Sequence, residues 1–185
     1  MPADHPAARV WPMTDDALAP LRRQFDLTWA LFEYHLERLE PQDHLWEPAP
    51  ECWTLHLHGG VWVPDFAEEE PDPVPAPTAA WVGWHIGWWW GTTMELLQGR
   101  QALPPEAVHW PGPENAVEWL RSFRGRWLAL LPDLDPAAPA PFPWPEGTGH
   151  TVTDTVAWVN AELMKNAAEV GQLRILRAAG ATGSS

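Results

Sequence analysis

The sequence predicts an all-α protein, a four-helix bundle with a long Trp/Pro-rich loop between helices one and two. Three observations carry that expectation. Four stretches repeat apolar residues at helical spacing, the connections after the first and third are long, and strand-like alternation occurs only within the first of those connections. With 185 residues, 45% of them hydrophobic, the chain suffices for one core, so residues 1–180 are expected to form a single domain.

The first helix is expected from Thr14 to Glu40, where Phe25, Trp29, Phe32, Leu36 and Leu39 share a face and Pro41 stops the pattern. Pro20 early in this stretch makes its first turn separate or kinked. Residues Gln42 to Pro77 change character, with closely spaced prolines, a Gly59-Gly60 pair, an acidic cluster Glu68-Glu69-Glu70, and short alternating pieces "CWTLHL" and "VWV". That composition predicts a long ordered loop carrying a small hairpin across the Gly-Gly turn. Trp46, Trp53 and Trp62 imply that it packs on something, and loops of this length in compact domains are functional or disordered.

Thr78 is a natural N-cap for a second helix, in which Trp81, Trp84, His85 and Trp88 fall at i, i+3, i+4 and i+7 and Gly99 is the stop. A third helix starts at Pro113 and Glu114, aligns Trp119, Phe123, Trp127 and Leu130, and ends at Pro132. After the proline-rich "DPAAPAPFPWPEG", Thr151 or Thr153 caps a fourth helix to about Gly180, with Val152, Val156, Val159, Leu163, Val170 and Leu173 on one face. The tail "ATGSS", residues 181–185, is expected to be disordered.

A net charge of −14, from 25 acidic and 11 basic residues, repels a phosphate backbone and an anionic lipid surface, so neither nucleic acid nor membrane is an expected partner. No leader-like N-terminus and no apolar run long enough to span a membrane occurs, which predicts a soluble, cytoplasmic protein. The single cysteine, Cys52, excludes an internal disulfide and any multi-cysteine metal site, and is expected as a small buried hydrophobe. Fifteen tryptophans either fill a core or line a wide cavity.

His85 lies in "WHIGWWWGTTMELL" on the face of Trp81 and Trp88, which points it inward. An inward histidine is either a hydrogen-bonded core residue or part of a site. Helix four offers partners in "WVNAELMKNAAEVGQL": Glu162, Lys165 and Glu169 lie at i, i+3 and i+7, and Asn166 falls within the apolar stripe. Positions three or four apart present two side chains to one point, as in bundle metal sites, and equally well form a surface ladder of ion pairs. His56 and His58 share one face of any extended "LHLHGG" segment, as a solvated strand face, a pocket lid or a metal pair.

Three segments in order resemble the DinB/YfiT-like superfamily of four-helix-bundle proteins: "YHLERLEPQDHLWEPAPECWTL", "DPVPAPTAAWVGWHIG" and "WVNAELMKNAAEVGQLRIL". The resemblance implies a divalent metal, commonly zinc or nickel, held by one histidine of helix two and two residues one turn apart on helix four. Those two are usually a His-x-x-x-His pair, or Glu-x-x-x-His in the mycothiol-dependent maleylpyruvate isomerase branch. The matching positions here are His85 from helix two and Lys165 and Glu169 from helix four. Glu169 is an oxygen donor, whereas an ammonium has no lone pair to offer, so the usual ligand set is incomplete.

Three arrangements follow. A metal is held by His85, Glu169 and a third group among Glu162, Asn166 and His35, or Lys165 replaces the metal, pairing with Glu169 beside His85 and acting as a fixed charge, base or nucleophile. In the third, the polar cluster is purely structural. The activity implied by the resemblance is a metal-dependent transferase or isomerase using a low-molecular-weight thiol, with the metal holding the thiol as thiolate. The alternative is a non-catalytic or stress-associated bundle, without metal, that binds a small molecule among its tryptophans. A homodimer is also implied by the resemblance.

Overall fold

The computed structural model of the protein describes residues 18–69 and 71–182. Four helices carry most of it: α1 (Ala19–Leu36), α2 (Ala79–Leu97), α3 (Ala116–Leu130) and α4 (Val152–Thr182). Helix α1 starts later than the periodicity suggested, with Pro20 in its first turn, where a missing N–H breaks no helical bond. Thr14 lies outside the described residues. The helix closes at Leu36 rather than Glu40, and Leu39, beyond its end, is still buried.

Helices α1 and α4 run side by side in the same direction. Near their starts Asn160 Nδ2 donates to the Leu21 carbonyl at 2.9 Å, and further along His35 packs on Gly171. The α4 positions Val152, Val156, Val159, Leu163, Val170 and Leu173 are all buried in the main core, together with Phe25, Trp29, Phe32 and Leu36 of α1. At the start of α4, Asp154 reaches back to accept the Thr151 backbone N–H at 2.7 Å, satisfying a donor that the helix leaves free. The helix runs on through Ala181 and Thr182, into the tail expected to be disordered, and residues 183–185 lie outside the described residues.

Helix α2 is capped as expected: Thr78 Oγ1 accepts the Trp81 N–H at 3.3 Å, and Gly99 leaves the helix with φ of +70°. The expected single stripe is too narrow, however. Val82, Trp84, Ile86, Trp89, Trp90 and Met94 are all buried, because α1, α3 and α4 pack on one side of α2 and the long loop together with the α2–α3 connection, through Leu55, Val108 and Trp110, packs on the other. Trp81, His85 and Trp88 are left half-buried. Gly87 lets the Trp119 indole of α3 lie directly on the α2 backbone, where any Cβ would overlap the ring. The buried stripe of α3 is Ala116, Leu120, Phe123 and Trp127, with Trp119 and Leu130 at its half-buried margins rather than at its centre.

The long loop is ordered by two small sheets, so the chain is mostly helical rather than purely α. Strands β2 (Leu55–His58) and β3 (Val61–Pro64) form the expected antiparallel hairpin, turned by Gly59 and Gly60, both with positive φ. Unexpectedly, β1 (Cys52–Trp53) pairs in parallel with β4 (Ala76–Pro77), and the Thr78 N–H donates to the Trp53 carbonyl at 2.8 Å. This parallel pair closes the loop on itself and fixes it to the start of α2. Leu55 of the hairpin joins a second small core with Ala80, Trp84, Val108, Trp110 and Ala116. Among the described residues no helix is long and apolar enough to cross a membrane.

Candidate functional site

The clamped loop, α2 and α4 line an open-sided cavity of about 470 Å³. Its aromatic wall is built on α2. Trp81 stacks with Trp53 of β1 at 4.9 Å and with His85 at 5.0 Å, the planes inclined by 28° and 14°. Trp88 stacks on the buried Trp84 at 6.0 Å and meets the edge of Phe66 from the loop at 5.7 Å. The indole N–H groups of Trp81 and Trp88 are bonded to the carbonyls of Asp65 at 2.7 Å and Leu103 at 2.9 Å. With those donors satisfied, what this wall offers a ligand is ring surface.

The polar wall comes from α4. Asn166, 1% exposed, accepts from Trp89 Nε1 at 3.1 Å and donates through Nδ2 to Glu169 Oε2 at 2.7 Å. A buried amide thus links α2 to the carboxylate that faces the cavity. Lys165 Nζ sits 2.6 Å from Glu162 Oε2, with the lysine side chain half exposed. Burial, and secondly the Lys165 ammonium, press the His85 pKa down to about 4 against the opposing charge of Glu162, so the ring is neutral at pH 7. His85, Trp88 and Lys165 also form one wall of a second, more apolar cavity of about 410 Å³, bounded by Trp89, Leu103, Phe142 and Trp158.

Four of the six residues singled out from sequence, His85, Lys165, Asn166 and Glu169, therefore line one cavity. Glu162 lines the neighbouring one. The expected Lys165–Glu169 pair does not form: three residues apart on the helix, Glu162 takes the ammonium, while Glu169 turns to Asn166. His35 is not among the cavity residues, because its ring lies on Gly171 at the contact between α1 and α4. Burial, then Arg174 and Arg38, lower its pKa. His56 is held by Asp65 at 3.1 Å on the exposed hairpin, and Cys52 donates to the Ala49 carbonyl at 2.9 Å.

The donor set does not fit a resident metal of the expected kind. A protein-held zinc takes at least three nitrogen, sulfur or oxygen donors brought to one point, and the cavity lining offers one imidazole, His85, and two carboxylates, Glu169 and the exposed loop residue Glu68, with an ammonium, Lys165, at the remaining expected position. Among the described residues no three His, Cys, Asp or Glu side chains gather where they would hold an ion.

Sequence reasoning missed the loop's contributions to the cavity, Trp53, Phe66 and Glu68. Their signal was present in part, since tryptophans in a proline-rich loop imply a packing partner. It also missed His44, 2% exposed, whose Nε2 is buried without a hydrogen-bond partner near Trp110.

Changing Asn166 to Ala strands the Trp89 N–H and releases Glu169, and is expected to lower stability by about 1–3 kcal/mol. Urea unfolding of the variant checks this. An unchanged midpoint would show that the amide holds neither partner.

The family model of the DinB superfamily matches residues 24–170, so this chain belongs to the DinB superfamily. Four helices in a mostly helical chain fit a fold of that type. No curated protein and no solved structure matches the chain.

Proposed function

We propose that this DinB-superfamily protein binds a small organic molecule in the aromatic cavity between its long loop, α2 and α4, without a metal. The observation that carries the reading is the construction of the two walls. The indole N–H groups of Trp81 and Trp88 are tied back to carbonyls, so these two present mainly ring surface, and a buried amide holds one carboxylate in place opposite. Mostly apolar enclosure with a few oriented polar groups is what small-ligand sites share. Lys165, engaged by Glu162, acts in this reading as a fixed charge between the two cavities rather than as a base or nucleophile.

The competing reading is metal- and thiol-dependent transfer or isomerisation, and it has one observation in its favour: His85 and Glu169 face the same cavity. Elemental analysis of the untagged protein and its His85→Ala variant separates the two. The proposal expects less than about a tenth of a metal ion per chain even after incubation with zinc or nickel, because among the described residues His85, Glu169 and the exposed Glu68 do not gather into a ligand set that would retain the ion through dialysis. It also expects quenching of tryptophan fluorescence when EDTA-dialysed protein is titrated with an aromatic alcohol. About one metal per chain, lost on removing His85, would overturn the metal-free reading in favour of the transferase.

A further inference from the structure

We propose that the ligand of this cavity is an organic cation, an ammonium or quaternary ammonium group carrying a compact apolar substituent. The inference rests on the reading above, that the cavity takes a small molecule. Its basis is the balance of charge facing the cavity from each element around it. The loop contributes the exposed Glu68, α2 the neutral His85, and α4 Lys165 and Glu169. Among the described residues the one cation lining the cavity, Lys165, is already matched by Glu162 at 2.6 Å. Among the described residues two carboxylates, Glu68 and Glu169, have no ion-pair partner, and Glu169 is held in place through Asn166.

The aromatic wall acts in the same direction. Ring faces carry negative quadrupole potential and attract an ammonium, most strongly for tryptophan and most of all where water is excluded. Trp53, Phe66 and Trp88 meet at this cavity, and the chain's net charge of −14 adds a long-range attraction for cations. A carboxylate or thiolate ligand would face two unmatched carboxylates and a lysine that must first leave Glu162. A neutral hydrocarbon would leave Glu169 unmatched beside it in the cavity.

The test compares three benzyl probes with tetrahedral heads in isothermal titration calorimetry with the full, EDTA-dialysed chain: benzyltrimethylammonium, its uncharged isostere neopentylbenzene in matched cosolvent, and the anion benzylsulfonate. The cation is expected to bind about tenfold or more tighter than the isostere, with no detectable heat from the anion. Glu169→Gln, which keeps an oxygen for Asn166, should weaken the cation about fivefold to tenfold and leave the isostere unchanged, and Glu68→Gln on the exposed loop should act in the same direction. Equal or tighter binding of the isostere or the anion overturns the cation assignment while leaving the binding function standing. Silence from all three overturns both.

Discussion

Acidification from neutral pH to about pH 4 is expected to remove roughly 6 kcal/mol of folding stability through two histidines alone. Burial presses His44 and His85 from an ordinary pKa of 6.5 down to about 4, aided at His85 by Lys165 and opposed at His44 by Asp43. The sign follows from which state binds the proton. Between 6.5 and 4 the unfolded chain is protonated at both rings and the folded chain at neither, so stability is complete above about pH 6.5 and falls as the pH drops toward 4. A displacement of two to three units corresponds to about 3 kcal/mol per ring. His35, also lowered, adds in the same direction. Carboxylates held low, Glu95 and Asp154, lose their contribution progressively as the pH falls through and below the ordinary carboxylate range, so the upper part of the window belongs to the histidines. Urea unfolding at pH 7 and pH 5 measures the upper part of this loss, about 4 kcal/mol for the two rings, and a His44→Leu, His85→Gln double variant should flatten it. The same fall in the double variant would mean that other groups carry the acid sensitivity.

His44 also marks where sequence reasoning stops. The helices were legible because their cores repeat at 3.6 residues: each expected apolar position of α1 and α4 is buried. His85 and its helix-four partners were legible for the same reason, since a periodic face tells which side chains turn inward. What a period cannot tell is what covers a face from a distant segment. Trp81, His85 and Trp88 share a face that opens on a cavity because β1 and β4, separated by a hairpin and a proline-rich stretch, pair in parallel and bring Trp53 and Phe66 over it. Parallel pairing of two-residue strands leaves no periodic signature. Nor does spacing choose between equivalent partners: Lys165 has a carboxylate three residues before it and another four after, and only the packed structure gives the ammonium to Glu162 and the amide of Asn166 to Glu169.

Replacing Trp90 with Ala is expected to destabilise the protein by about 4 kcal/mol, more than any other single change considered so far. Trp90 is wholly buried where three helices meet, with Phe25 and Trp29 of α1 at 5.9 and 6.3 Å, and Phe123 and Trp127 of α3 at 6.1 and 6.2 Å. Flat rings cannot close over the space an indole leaves without leaving their own rotamers, so most of the cavity persists. Trp90→Phe provides the control. The indole N–H is buried without a partner, so phenylalanine loses volume but also removes an unsatisfied donor, and its net effect is expected to be only about 1 kcal/mol. Urea unfolding followed by circular dichroism orders the three proteins, and a Trp90→Ala midpoint equal to that of Trp90→Phe would contradict this packing. The effect should also reach the ligand. Trp90 does not line the cavity, but it holds the helix whose outer face carries Trp81, His85 and Trp88, and Trp89 beside it anchors Asn166. Benzyltrimethylammonium should therefore bind Trp90→Ala more weakly even below its unfolding temperature, because the aromatic wall and the carboxylate opposite it are positioned by the same packed helix.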